Sequence, residues 1–322
     1  MKRILVWFFL VFCWGSSIWL GSRILEQQDM LSLRLEGDGA GITGAGLEKM
    51  LEKYYAAAYE EAGLITAKAA ATGRDAEVSV ILMAGNSRLV TGSRLLDGSF
   101  GLGDPGECMI SRAAALELFG GAASAGLSVL ADGREWYVRG VFDADRPIIL
   151  LPAEKDVLLT NLEFQIDGSR DNQAEAEQAC YQYGVTGRQK IIDYSFFAAV
   201  ARLLMWLPFV MLLCLLKRTG RRLSAAAKGN ILYYGLELLF WAGILFAVFQ
   251  AVRFPSGFIP AKWSDFHFWS VKWEEAVKAF DILYTSPLLK DRMLSGRLAG
   301  CGLLSAAVLP FWATKKGAKL LL

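Results

Sequence analysis

The sequence predicts a membrane protein with four transmembrane α-helices and an extracytoplasmic α+β domain inserted between the first and second. Three observations carry that class. Four apolar runs, Ile4–Ser22, Phe196–Leu216, Ile231–Val252 and Leu298–Thr314, punctuate the 322 residues, each near the ~20 residues at ~1.5 Å rise that cross a ~30 Å hydrocarbon core. A polar insert separates the first run from the second, and its roughly 170 residues are enough for a domain with its own core. Composition agrees: with 54% hydrophobic residues, 20% charged and 10 Trp, the chain exceeds globular averages in apolar and aromatic content, and the excess lies in the runs.

The basic residues orient the spans. Lys2 and Arg3 precede the first run, Lys217, Arg218, Arg221, Arg222 and Lys228 fill the link between the second and third, and Lys315, Lys316 and Lys319 follow the fourth, with no Asp or Glu in these stretches. The positive-inside rule makes all three cytoplasmic, so both termini face the cytoplasm and residues 23–195 and the loop 253–297 lie outside the plasma membrane. The first run reads as an uncleaved anchor: it exceeds a usual signal-peptide core, and Gly15–Gly21 offers no small-x-small cleavage site. The expected division is an anchor at 1–26, the outer domain at 27–194, and a three-helix transmembrane region at 195–322 with an outer amphipathic loop at 253–297. A formal net charge of +2 carries no polyanion-binding signature, which excludes nucleic acid as a partner.

Within the insert, Asp38–Gly46 reads as a glycine-rich loop. Leu47, Met50, Leu51 and Tyr54 then recur at helical spacing opposite Glu48, Lys49, Glu52 and Lys53, which predicts an amphipathic helix ending near Gly63. Glu77–Met83 and Leu127–Leu130 read as strands, and Asp132-Gly133 turns the latter into Glu135–Phe142 as a tight hairpin. Leu162–Ile166 predicts another strand and Gln173–Tyr183 a closing helix, an irregular mixture that means α+β. Gly39-Ala-Gly41-Ile-Thr-Gly44 matches G-x-G-x-x-G, the dinucleotide fingerprint. Its position outside the membrane favours a flexible junction with Thr43 capping the next helix, and no cofactor is expected.

The stretch Leu89–Pro152 holds Leu-Val-Thr-Gly at 89–92, Gly106-Glu-Cys-Met-Ile-Ser-Arg-Ala-Ala-Ala-Leu-Glu-Leu-Phe-Gly120, Gly126, and Trp136-Tyr-Val-Arg-Gly-Val141. Met109 and Ile110 would finish a buried strand, Ser111 would cap the helix Arg112–Leu118 and Gly120-Gly121 would supply its left-handed stop. This stretch resembles the periplasmic core domain of MacB-type ABC transporter permeases, and the order of spans resembles that of MacB-like and FtsX-like permeases. The resemblance implies a non-enzymatic permease-type subunit, working with a separate ABC ATPase subunit and as a homodimer or with a related permease. It implies that hydrolysis inside is transmitted through the helices to the outer domain, for export or envelope signalling. The sequence departs from that pattern in one respect: the link Lys217–Asn230 is short and basic, where the family has an acidic coupling helix. The alternative reading is therefore an ATPase-independent scaffold presenting its outer domain to an envelope partner. No G-x-x-x-x-G-K-[ST] loop is present, so the chain itself supplies no ATP hydrolysis.

No catalytic or metal-binding set emerges. The single histidine, His267, sits among interfacial aromatics in Trp263–Trp269. Of five cysteines, Cys13, Cys214 and Cys301 fall in spans; Cys108 and Cys180 fall in the outer domain, where a disulfide could persist, and reduced buried thiols are the simpler expectation. Two charges lie inside spans. Arg202 is expected to snorkel outward, and depths ~12 Å apart at ~1.5 Å per residue separate it from Glu237. Glu237, the candidate intramembrane functional residue, should face a neighbouring span or a partner subunit. Arg218, Arg221 and Arg222 are the candidate coupling contacts, with membrane lipid as their competing partner. In the outer loop, Trp269, Trp273, Ala276, Val277 and Phe280 share a helical face opposite Lys272, Glu274, Glu275, Lys278 and Asp281. Two placements suit it: a helix in the outer headgroup region, or a helix packed under the outer domain.

Overall fold

The computed structural model describes residues 2–101, 103–166, 172–223, 231–252, 262, 264–286 and 288–309. The chain divides into two compact units, Met30–Asp193 on one hand and Met1–Asp29 with Tyr194–Leu322 on the other. It runs from helix α1 (Lys2–Leu25) into strand β1 (Met30–Thr43), helix α2 (Gly44–Leu51) and the long strands β2 (Ala56–Ala69) and β3 (Asp75–Gly85). Helix α3 (Ser87–Thr91) and strand β4 (Leu95–Gly98) lead to β5 (Glu107–Ser111), α4 (Arg112–Phe119), β6 (Ser128–Ala131), β7 (Arg134–Phe142) and β8 (Ile148–Pro152). Then come β9 (Leu158–Leu159), β10 (Asn161–Gln165), α5 (Asn172–Tyr183) and β11 (Thr186–Asp193), followed by helices α6 (Tyr194–Leu223), α7 (Ile231–Ala251), α8 (Phe266–Thr285) and α9 (Leu289–Ala306).

The strands described form one mixed sheet of order β11-β1-β10-β2-β3-β8-β5-β7-β4, with β6 beside β2 and β7 and β9 beside β1. Local chemistry builds the β5–α4 unit. Ser111 accepts from the Ala114 amide at 3.2 Å as N-cap, and Gly120 closes α4 in the left-handed region at φ 80°. The Ser111 hydroxyl also donates to the Arg146 carbonyl at 2.6 Å and accepts from the Ile148 amide at 2.9 Å, tying the helix start to β8. At the β6–β7 turn Asp132 has φ 52° and Gly133 φ 70°, the two positive values a two-residue hairpin of right-handed twist requires.

Two expectations fail in the first part of this unit. Asp38–Gly46 is not a loop: β1 runs through it to Thr43, its register against β11 shifting between Glu36 and Gly41. The glycines serve that irregularity and close packing. A Cβ on Gly41 would meet Leu158 and Leu159 at 3.1 Å, and one on Gly44 would meet the Lys155 backbone at 3.1 Å. The chain itself thus fills the space that a dinucleotide fingerprint keeps for phosphate; Thr43 does cap α2, accepting from Gly46 at 3.2 Å. The helix also does not reach Gly63. It ends at Leu51, and Ala56–Ala58 enter β2 fully buried, hydrogen-bonded to β10 on one side and β3 on the other. Sheet pairing on both edges overrides the helical propensity of three consecutive alanines.

The core has two parts along the sheet. One gathers Leu31, Leu33, Leu47, Met50, Leu162 and Phe164 with Cys180; the other gathers Val78, Ile110, Leu118, Val138 and Ile149 with Cys108. Cys108 and Cys180 are free thiols in separate clusters, so no disulfide joins them. Phe119 is only partly buried at the edge of the second cluster, and Leu118, with no exposed surface, is the residue that anchors α4.

In the other unit, α1, α6 and α9 pack together, and α7 packs on α6. Small residues set the contacts: a Cβ on Gly300 would meet Leu20 Cδ1 at 2.8 Å, so α1 and α9 approach closely there. Among the described residues, two helical segments are long and apolar enough to cross a membrane, Trp7–Leu25 and Tyr194–Cys214; Glu237–Ala251 is a shorter apolar segment of α7. The fourth run differs from its expected bounds. Its helix begins at Leu289, nine residues before Leu298, with Lys290, Asp291, Arg292 and Arg297 in its first half, and the stretch 310–314 lies outside the described residues.

Candidate functional site

Ionisable side chains on apolar helices are costly, so the polar contacts of the helical unit mark where a function would reside. Glu237 occupies the second turn of α7, with Phe240 and Trp241 three and four positions on, hence on the same helical face. Lys217 of α6 meets all three. Its Nζ lies 2.7 Å from Glu237 Oε2, 4.1 Å from the Phe240 ring centroid and 4.8 Å from that of Trp241. Both charged side chains are largely shielded from solvent, so the pair and its aromatic wall form a four-residue clamp between the two helices. Each ring contact is worth about 0.5–2 kcal/mol. The pair is partly buried, so removing one member should cost less than the about 3–5 kcal/mol of a fully buried pair.

The sequence hid this pairing because Lys217 was counted with the basic link. In fact α6 continues as helix to Leu223, carrying Lys217 on an ordered turn. Arg202, also on α6, donates to the Gln28 side chain beyond the end of α1. Arg218, Arg221 and Arg222 belong to the last turns of α6, but their side chains, like residues 224–230, lie outside the described residues.

Two further features of α6 and α9 concern backbone polarity. Pro208, inside α6, has no amide hydrogen for the Leu204 carbonyl. Ser305 of α9 supplies a donor instead, its hydroxyl 2.6 Å from that oxygen. At the α8–α9 corner, the Ser286 hydroxyl donates to Asp291 at 2.6 Å and accepts from the Leu288 amide at 3.3 Å. Lys290, also buried, stands 5.1 Å from the Tyr194 ring centroid at the start of α6.

In the sheet-bearing unit the most deeply buried charge is Glu163 on β10. Arg34 of β1 donates to it at 2.9 Å, Tyr59 of β2 at 3.3 Å, and Ser32 of β1 also bonds it, so three side chains from the two neighbouring strands hold the carboxylate. These partners come from its own sheet, which fits a structural ion pair. On the other lobe, Arg139 bridges Asp104 at 2.8 Å and Glu107 at 2.5 Å, and the bond to Glu107 raises its pKa further, keeping it charged. Burial pushes the Cys108 thiol up to about 12 and that of Cys180 up to about 11, so neither is a reactive thiolate. His267 is exposed in the first turn of α8. Among the described residues, no three His, Cys, Asp or Glu side chains converge on a metal-sized site.

Neither a protein-family model nor a curated protein sequence matches the chain. Solved structures do. The periplasmic region of MacB from Actinobacillus actinomycetemcomitans is similar over 52% of this chain and 89% of that one, at 10% identity and a TM-score of 0.42. The extracellular domain of the noncanonic ABC-type transporter YknZ from Gram-positive bacteria is similar over 50% and 98%, at 16% identity and a TM-score of 0.37. A domain of a permease protein from Porphyromonas gingivalis is similar over 49% and 85%, at 16% identity and a TM-score of 0.37.

Proposed function

We propose that the chain is a non-enzymatic, permease-type subunit of a MacB/FtsX-like ABC system in the plasma membrane. In this reading it spans the bilayer four times, keeps both termini in the cytoplasm and holds residues 23–195 outside. A separate ATPase acts from the cytoplasm, and its work reaches the outer domain through the helices, for export or envelope signalling, with two permease chains together. One observation carries the reading: the compact α+β unit Met30–Asp193 is inserted between the apolar segments Trp7–Leu25 and Tyr194–Cys214. The resemblance of Leu89–Pro152 to the MacB core domain adds the family. The Ser111 cap and Gly120 stop give that stretch the local fold its motif calls for.

The Lys217–Glu237 clamp suits this role, because transmission through α6 and α7 needs the two helices to move as a body. A second reading rests on the link Lys217–Asn230, which has no acidic residue to dock on an ATPase. In that case the chain is a scaffold that presents its outer domain to an envelope partner. Affinity purification of the chain from its native membrane separates the two. Recovery of an ABC ATPase with the wild type supports the permease, and its loss from a variant with Gln at positions 218, 221 and 222 assigns the contact to those arginines. An ATPase found with neither protein overturns the permease reading.

A further inference from the structure

The side chains of α8 divide into three sectors where two would serve a helix on a protein surface. One sector is packed: Lys272, Glu275, Ala276, Ala279 and Leu283 turn inward, and Phe280 stands edge-on to Phe196 and Phe197 of α6 at 5.8 and 5.3 Å. A second is mainly polar and exposed, with Ser270, Glu274, Lys278 and Asp281 and a single exposed Val271 at its edge. The third is apolar and exposed: Phe266, Trp269, Trp273, Val277 and Tyr284, with Phe266 83% and Trp273 72% accessible. At 3.6 residues per turn these five fall within a stripe about 80° wide, directly between the packed sector and the polar one.

We infer that this stripe is a lipid contact: α8 lies along the outer face of the bilayer with Phe266, Trp269, Trp273, Val277 and Tyr284 in the headgroup and upper acyl region. A helix in water needs no apolar exposed stripe, and a helix across the bilayer could not carry Lys272, Glu274, Glu275, Lys278 and Asp281 within its 20 residues. Only a helix at an apolar–aqueous boundary, held to a protein by its third side, needs all three sectors. Ring chemistry agrees, since Trp and Tyr prefer the interface. The same unit presents other large apolar side chains outward, Phe8, Phe12 and Trp19 on α1 among them, which call for the same lipid covering. The polar sector holds Glu274, Lys278 and Asp281 and no cluster of cations. The binding is therefore by apolar insertion, and anionic headgroups are not required. This inference rests on the membrane placement proposed above.

The test uses the full chain in nanodiscs of zwitterionic phosphatidylcholine, with nitroxide labels on single cysteines in a background whose native cysteines are replaced. Labels at 273 and 277 should collide several-fold more with oxygen than with a water-soluble nickel chelate, labels at 274 and 278 should show the reverse, and labels at 275 and 279 should meet neither. The pattern should be unchanged when a fifth of the lipid is anionic. A label replacing Phe12 serves as the reference for α1. If it reports lipid while 273 and 277 report water, α8 is not at the interface and the inference falls alone. If 273 and 277 meet neither reagent, a second protein surface covers the stripe and the inference is overturned in favour of a copy of this chain. If position 12 itself reports water, the membrane reading falls and takes the inference with it.

Discussion

Pro208 and Ser305 make a couple whose strength can be measured. Without an amide hydrogen at 208, the Leu204 carbonyl would be left unpaired in apolar surroundings, and the buried Ser305 hydroxyl fills that role from a different helix at 2.6 Å. Ser305→Ala removes the donor. A buried polar group without its partner costs about 1–3 kcal/mol. Interhelical hydrogen bonds in membrane proteins measure nearer ~0.6 and at most ~1.7 kcal/mol. The lower scale applies to an exchange between helices, and a fully buried donor belongs at its upper end, so the expected loss is about 1–1.7 kcal/mol. In a Pro208→Ala background residue 208 regains its amide and can bond Leu204 within α6, so the same Ser305→Ala change should cost under about 0.5 kcal/mol. The assay is reversible unfolding of the four purified proteins in mixed micelles, followed by loss of helical circular dichroism. Equal costs of Ser305→Ala in both backgrounds would refute the reasoning, because the hydroxyl would then be serving something other than the carbonyl that proline exposes.

Four further outcomes follow from contacts already described. Lys217→Met and Glu237→Gln should each destabilise the helical unit by about 1–3 kcal/mol, between an exposed and a fully buried pair, and the double variant should recover part of that loss; strictly additive costs would dissolve the clamp. In an isolated Met30–Asp193 fragment, Leu118→Ala should cost about 2–5 kcal/mol in denaturant melts and Phe119→Ala clearly less, because Leu118 is fully buried and Phe119 only partly. Ser111→Ala should cost about 2–4 kcal/mol, since it removes a cap and strands the Ile148 amide and Arg146 carbonyl, whereas Asn86→Ala, which removes the α3 cap alone, should cost about 1 kcal/mol. Cys108 and Cys180 should resist an aromatic disulfide reagent at pH 8 until denaturant is added. Their folded pKa values lie above the unfolded value of 9.0, so their contribution to stability is complete below pH 9 and is lost as pH rises toward about 12 and about 11. A melting midpoint that rises between pH 9 and 11 would contradict that sign.

What could be read from the sequence was local, and what could not was set by distant neighbours. Ser111, Gly120 and Asp132-Gly133 act within a few residues of themselves, so the β5–α4 unit and the β6–β7 hairpin were legible as written. The helical pattern after Leu47 was real for two turns, but only β10 and β3, remote in sequence, decide that Ala56–Ala58 form a strand. Nothing between Gly37 and Gly41 signals that β1 continues, because its partners Thr186 and Leu159 come from the other end of the unit. The clamp was missed for a related reason. A lysine just past an apolar run looks like a topology signal, and its conversion into a partner for Glu237 depends on how far α6 extends.

The two halves of the sheet-bearing core share one pair of strands. Ala56 and Ala58 of β2 and Ala84 of β3 lie with the cluster around Phe164, Ala67 and Ala69 of β2 and Val78 and Val80 of β3 lie with the cluster around Ile110, and Leu82 of β3 packs against both. The chain enters this unit at Met30 and leaves it at Asp193, both on the strands of the first cluster. The β2–β3 ribbon therefore runs as a beam from the first cluster into the lobe built on Ile110 and Leu118. Near the middle of that beam the pairing skips a residue, Glu61 facing Ile81 and Gly63 facing Val80, with Gly63 at φ 102°. A bulge of this kind bends and twists a ribbon locally. A bend at Gly63 therefore changes the direction of the ribbon between the residues it lends to one core and those it lends to the other.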